Sequence, residues 1–147
     1  MNYLRFLPLL VLPFLFIGCA STPKPPPQYR AASNSFTPPA GKAGLYVFKE
    51  GSLIPATDSH QISLDGQLLG IVSSSSFIYS PITPGAHVIT GESGQVNLTA
   101  QAGQNYFVKQ KTLLNSSGQI IGSTLTLVTP AVGKPQIQEL QGADMSE

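Results

Sequence analysis

Between residue 43 and about residue 141, short runs of β-branched, aliphatic and aromatic residues alternate with Gly, Pro, Asp and Ser, and no long stretch repeats at the helical period. The pattern predicts strands near residues 45–49, 61–64, 67–72, 77–80, 85–91, 95–100, 105–111, 119–128 and 137–140. Ile62/Leu64, Val88/Thr90, Val96/Leu98 and Leu125/Leu127 each set apolar or β-branched side chains on one face and polar neighbours on the other. Leu45-Tyr46-Val47-Phe48 is apolar on both faces, which fits a central strand covered from both sides. Asp65-Gly66 marks the clearest hairpin, because a type I′ turn needs the positive φ that Gly tolerates. Thr83-Pro84-Gly85 and Gly91-Glu92-Ser93-Gly94 are further turns. A short helical turn fits at residues 130–134, with Gly133 and Pro135 weighing against a long helix. The expectation is an all-β domain over residues 43–141, a small antiparallel β-sandwich that buries its core without disulfides, followed by a flexible tail at 142–147.

The apolar run at residues 6–17 is of another kind. One positive charge at Arg5 precedes it and small Gly18 follows it, the layout of an export signal over residues 1–18. Its twelve residues rise only ~18 Å as a helix against roughly 30 Å of hydrocarbon, and Pro8 and Pro13 weaken that helix. Cleavage before Cys19 is therefore expected. Ile17-Gly18-Cys19 resembles the lipobox of bacterial lipoproteins, with Phe16 where Leu is usual and Leu15 one step early. That resemblance implies a diacylglyceryl group and an N-acyl chain (palmitate-type lipidation) on Cys19. Ala20 after it implies transfer to the outer membrane, facing the periplasm. From Ala20 to Lys42 the composition turns to Pro, Ser, Thr, Ala and Gln, so residues 19–42 read as the lipidated cysteine and a disordered Pro-rich tether. Such a tether reaches between ~26 Å as a flexible coil and about 70 Å as polyproline II.

Cys19 is the only cysteine, so no internal disulfide forms and lipidation gives the thiol its use. Charge adds an exclusion. Of eight Lys/Arg and seven Asp/Glu, removal of residues 1–18 deletes Arg5 and leaves a neutral chain. Without a basic stripe or Trp, nothing points to nucleic acid. Lys109 and Lys111 share a strand face and read as a solvated edge.

Four segments carry a family resemblance: Ala43-Gly44-Leu45-Tyr46-Val47-Phe48, Ile62-Ser63-Leu64-Asp65-Gly66-Gln67-Leu68-Leu69-Gly70, Pro84-Gly85-Ala86-His87 and Ala102-Gly103-Gln104-Asn105-Tyr106-Phe107. In order and spacing they resemble the bacterial family catalogued as domain of unknown function 2846. The middle part is also similar to the PEGA domain. Both resemblances imply a small sandwich of transthyretin-like or immunoglobulin-like character and no assigned activity. The motifs are turn chemistry and transfer no catalytic residue.

A direct search for chemistry yields little. His60 and His87 are the only histidines, and no His-Glu-x-x-His or Cys-x-x-Cys occurs, so no metal and no cofactor is expected. His87, after Pro84-Gly85-Ala86, reads as a packing or hydrogen-bonding residue at a strand start; His60 neighbours Asp58 in a loop, a pair able to titrate together. Asp65 and Glu92 occupy turns and read as local backbone partners. No serine lies in Gly-x-Ser-x-Gly, and Ser21-x-x-Lys24 falls in the tether. Asn97-Leu98-Thr99 and Asn115-Ser116-Ser117 match the glycosylation pattern by chance.

The sequence thus points to no catalytic residue. It leads to a membrane-anchored envelope lipoprotein, a noncatalytic binding or structural module with an envelope protein or cell-wall partner. The candidate contact loops are polar: Ser73, Ser74, Ser75 and Ser76 in one, and residues 113–118, with Asn115, Ser116 and Ser117, in the other. The alternative is a small periplasmic hydrolase or an enzyme-inhibitor lipoprotein. A cleft lined by a histidine and a carboxylate favours the enzyme; a flat face with an unpaired edge strand favours binding.

Overall fold

Alternation and turn residues place eight strands in the computed structural model, which describes residues 33–49, 59–73 and 76–144. They are β1 (Ala43–Lys49), β2 (His60–Leu64), β3 (Gln67–Val72), β4 (Phe77–Ile82), β5 (Gly85–Thr90), β6 (Gln95–Ala100), β7 (Asn105–Leu114) and β8 (Ile120–Val128). Sheet A has the order β4-β1-β7-β8 and sheet B the order β3-β2-β5-β6. Neighbours are antiparallel except β1 and β7, which run parallel. The fold is an all-β sandwich. In an immunoglobulin constant domain the first two strands share a sheet. Here β1 and β2 lie in different sheets, so the strand order is not that of an immunoglobulin constant domain.

β1 explains why the chain needs two cores. All seven of its residues are buried. Leu45 and Val47 face sheet B and join Ile62, Val72, Ile82, Ile89, Leu98 and Val108 in an aliphatic core between the sheets. Tyr46 and Phe48 point the other way, into an aromatic core with Phe107 and Ile137 that half-buried Phe36, Phe77 and Tyr79 complete. Tyr46 stacks on Phe107 with centroids 5.0 Å apart.

The aromatic core is covered by a helix, which corrects the expected strand at 137–140. Residues 130–144 form α1 (Pro130–Asp144), with Pro135 inside it. Pro130 begins the helix, where a missing N–H is harmless, and the Thr129 carbonyl accepts from the amides of Val132 and Gly133 at 3.0 Å each. Gly133, read as a breaker, is the point of closest approach: a Cβ there would lie 2.3–2.5 Å from Phe107. Ile137 is fully buried and Leu140 packs beside it, so these apolar residues line a helix face at i, i+4 and i+7 from Gly133.

The fold also takes in residues 33–42, expected as the end of a disordered tether. Residues 33–35 make a helical turn, and Phe36 packs its ring 5.4 Å from Tyr46 and 6.1 Å from Phe107. The Tyr46 hydroxyl donates to the Ser33 carbonyl (3.1 Å), Gln141 Nε2 donates to the same oxygen (3.3 Å), and Asn105 Nδ2 donates to the Phe36 carbonyl (2.5 Å). One aromatic residue in a polar stretch thus ties that stretch to α1 and sheet A.

One turn is as expected, and three smaller corrections concern connection and parity. Asp65 (φ 50°) and Gly66 (φ 80°) form the expected positive-φ hairpin turn. Thr83-Pro84-Gly85 joins no hairpin; it carries the chain from β4 in sheet A to β5 in sheet B. On β5 the inward residue is Ile89, and Val88 is 36 % exposed, so the expected parity is off by one position, which reverses every side chain. Leu127 is 44 % exposed rather than a full core partner of Leu125.

Candidate functional site

His87 and Asp65 meet at the tip of the β2–β3 hairpin. Asp65 Oδ1 accepts from the Val88 amide (2.8 Å), the Asp65 amide donates to the Val88 carbonyl (2.9 Å), and Asp65 Oδ2 lies 2.7 Å from His87 Nδ1. His87 Nε2 is 2.8 Å from the Thr83 carbonyl. A carbonyl and a carboxylate only accept, so both bonds form together when the imidazole is protonated at both nitrogens. The Val88 amide, and after it His87, hold the Asp65 carboxyl below its usual range. The Asp65 hydrogen bond raises His87 above its ordinary value, helped by the Thr83 carbonyl. The geometry latches the β2–β3 turn to the β4–β5 crossover. Asp65 therefore does more than the local backbone bonding expected of it.

His60 pairs with Glu92, which stands 32 positions away in the β5–β6 turn, at 2.9 Å from Nδ1. Its sequence neighbour Asp58 lies outside the described residues. Nε2 is 3.4 Å from Thr112 Oγ1 on β7, so the ring spans the two sheets. The site grows by strand parity. Lys49 follows Val47 on the inward face of β1, and Gln110 and Thr112 follow Val108 on β7; Lys49 pairs with Gln110 in register, and Thr112 with Ser123 of β8. Lys49, His60, Gln110, Thr112 and Ser123 are all buried, so one end of the inter-sheet core is polar. The Gln110 amide has no hydrogen-bond partner among the described residues.

Glu92, His60 and Thr112 stand in the acid–imidazole–hydroxyl order of hydrolytic triads. His60 is 4 % and Thr112 8 % exposed, however, which puts the hydroxyl inside the sandwich and away from a substrate. A groove of about 440 Å³ lies elsewhere, between the start of β7 and the end of β8, and its walls include Gln104, Tyr106, Leu127 and Pro130 but neither histidine. Among the described residues no three His, Cys, Asp or Glu side chains group as a metal site would, and no helix is long and apolar enough to cross a membrane.

The pattern of the family described as "Protein of unknown function (DUF2846)" matches residues 39–122. The chain belongs to that family. No curated protein and no solved structure matches it. The DUF2846 span holds both histidine pairs and strands β1–β7, and it stops at Gly122, before most of β8 and all of α1.

The remaining sequence-selected residues take turn roles or fall outside the described chain. Cys19, Ser74 and Ser75 lie outside the described residues. The Ser73 amide donates to Ser76 Oγ (3.0 Å), with the two hydroxyls 2.9 Å apart. Leu113 and Leu114 belong to β7 rather than to a polar loop. Asn115 Oδ1 caps the turn by accepting from the amides of Ser117 (3.0 Å) and Gln119 (2.9 Å). Sequence reasoning missed the link from Glu92 to His60 and the buried polar group around it. The available signal was the continuation of the inward parity of β1 and β7 into Lys49, Gln110 and Thr112.

Proposed function

We propose that this DUF2846 chain is an envelope lipoprotein, anchored to the outer membrane by acyl chains on Cys19, that presents its sandwich to a protein or cell-wall partner without catalysing a reaction. The observation that carries the noncatalytic reading is the engagement of both histidines. Both nitrogens of His87 face fixed acceptors, and His60 is enclosed between the sheets with Glu92 and Thr112. A general base needs a free nitrogen within reach of a substrate proton. The anchor reading rests on the run at 6–17 ending in Gly18-Cys19 and on the Pro-rich segment after it.

Two measurements test it. Labelled fatty acid is incorporated by the wild type and not by Cys19→Ala, which accumulates as soluble protein or uncleaved precursor. His87→Asn and Thr112→Val leave any envelope phenotype intact at normal protein abundance. Wild-type chain that is soluble and carries no lipid refutes the anchor. The hydrolase alternative, favoured by the order of Glu92, His60 and Thr112, takes over if Thr112→Val abolishes the phenotype in a folded, correctly localised protein.

A further inference from the structure

Four exposed aliphatic side chains gather at the tip of the β7–β8 hairpin. Leu113 and Leu114 end β7, Ile120 and Ile121 begin β8, and they are 37 %, 44 %, 51 % and 64 % exposed. Strand parity sets them on two faces. On β7, Val108 points into the inter-sheet core and Phe107 away from it, so alternation gives Leu114 the inner face and Leu113, with Lys109 and Lys111, the outer one. Ile120 is opposite Leu114 in register and shares its face; Ile121 is the extra residue of the bulge between that pair and Leu113–Gly122. A bulge blunts an edge against strand addition, so the tip offers its apolar side chains rather than its backbone.

The turn between the two aliphatic pairs is closed on itself. The amides of Ser117 and Gln119 donate to Asn115 Oδ1, that of Asn115 to the Gln119 carbonyl (2.9 Å) and that of Gly118 to the Asn115 carbonyl (3.0 Å). Asn115 Nδ2 donates to Gln119 Oε1 (3.0 Å). Polar groups already bonded to one another lose little when water is removed. No charge occurs from Thr112 to Gly133, the flanking residues being Lys111 and Lys134.

We propose that the β7–β8 tip is a second membrane contact, entering the headgroup and acyl boundary of the bilayer that holds the anchor, a proposal that rests on acylation of Cys19. Shape favours lipid. Acyl chains close around a tip that is apolar on both faces, whereas a flat protein surface laid on one face leaves the other in water. Chain length permits the contact. Fourteen residues lead from Cys19 to Ser33, a reach of at most ~50 Å, and Phe36 just beyond packs on Phe107, seven strand residues or ~24 Å from Leu114. Charge is placed for it as well. Lys111 stands ~7 Å behind Leu113 on the outer face, where an ammonium on a long stem meets lipid phosphate when the tip enters by roughly 5–10 Å. Glu92, beside the Ser93 that approaches Gly122, has its carboxylate turned to His60.

The chain contains no Trp, so a single introduced indole reports its own surroundings. Full chain purified in detergent, carrying either Ile121→Trp or, as the control on the outer face of sheet B, Leu68→Trp, is reconstituted into vesicles of phosphatidylethanolamine and phosphatidylglycerol. The two positions are equally exposed, at 64 %. With lipids brominated on their acyl chains, Ile121→Trp emission is blue-shifted and quenched at least threefold more than that of Leu68→Trp. Ile120→Trp serves in its place if Ile121→Trp does not fold. Chain that fails to float with the vesicles refutes the anchor and this proposal with it. Chain that floats while the tip indole is quenched no more than Leu68→Trp overturns this proposal alone. An indole shielded in intact envelopes but not in lipid vesicles overturns it too, and assigns the tip to a protein.

Discussion

Sheet A is packed on both faces and sheet B on one. Outside sheet A, α1 and the turn at residues 33–36 bury Tyr46, Phe48 and Phe107 completely. Outside sheet B, Leu68 is 64 % and Ile71 57 % exposed, and no layer covers that face among the described residues. What sheet B has in place of a layer is a polar clasp: Asp65 bonded to Val88 and His87, and His87 to Thr83. The difference teaches where each sheet's stability comes from. Sheet A draws on apolar burial, indifferent to pH over the neutral range, whereas the hairpin end of sheet B draws on charge-assisted bonds that titrate.

The largest effect that separates the two sheets is a truncation on each outer face. Phe107→Ala removes a fully buried ring that touches Tyr46, Phe36 and the backbone of Gly133, and is expected to destabilise by about 3–5 kcal/mol. Leu68→Ala removes a side chain that is mostly in water already and should shift stability by no more than ~0.5 kcal/mol. Urea unfolding of both variants measures this directly. Equal losses would mean that the outer face of sheet B is covered in solution.

Legibility in the sequence follows the same division. The existence of the strands and the Asp65-Gly66 turn, whose positive φ both residues adopt, follow from the sequence, whereas parity does not throughout: on β5 the inward residue is Ile89 rather than Val88, and Leu127 on β8 is exposed. The outer layer of sheet A was not legible. Its helix contains Gly133 and Pro135, which local propensity reads as breakers, and tertiary packing on Phe107 overrides that propensity. Phe36 stands alone in a polar segment, and only its contact with Tyr46 reveals its role. The candidate site divides likewise. His87 and Asp65 sit on turns that the sequence marks, so each was singled out, although not as a pair. His60 and Glu92 come from different hairpins, and no spacing rule joins residues whose proximity depends on how one sheet closes on the other.

Gly133→Ala sharpens the comparison at smaller scale. In an isolated helix the change would stabilise by roughly 1 kcal/mol through backbone entropy. Here the new methyl would sit within 2.5 Å of three atoms of Phe107, so the helix must lift or the ring must move. Overpacking of this kind costs typically ~1–3 kcal/mol, and it outweighs the propensity gain. The expected result is a lowered melting temperature with a weakened near-ultraviolet aromatic signal, since Tyr46 and Phe107 share the contact. A variant at least as stable as wild type would show that α1 is not held against sheet A.

The smallest effect is the pH dependence of the clasp in sheet B. The Asp65 hydrogen bond raises His87 above its ordinary 6.5, so its contribution is complete below about pH 6.5 and fades as pH rises through the folded value. The carboxyl of Asp65 is lowered below 3.8, by the Val88 amide first and His87 second, so its contribution is present above that value and fades as pH falls through the folded one. The clasp is therefore strongest between about pH 4 and 6.5. Both groups are close to water, which keeps the effect small. Melting curves at pH 6 and pH 9 should show a larger drop for wild type than for His87→Asn, in which no imidazolium remains to be neutralised. Phe107→Ala, which leaves the clasp untouched, should keep the slope of the wild type while melting lower throughout. Parallel profiles for wild type and His87→Asn would mean that the bond to Asp65 contributes nothing to the folded state, and the contrast between a sheet held by packing and one fastened by charge would lose its second half.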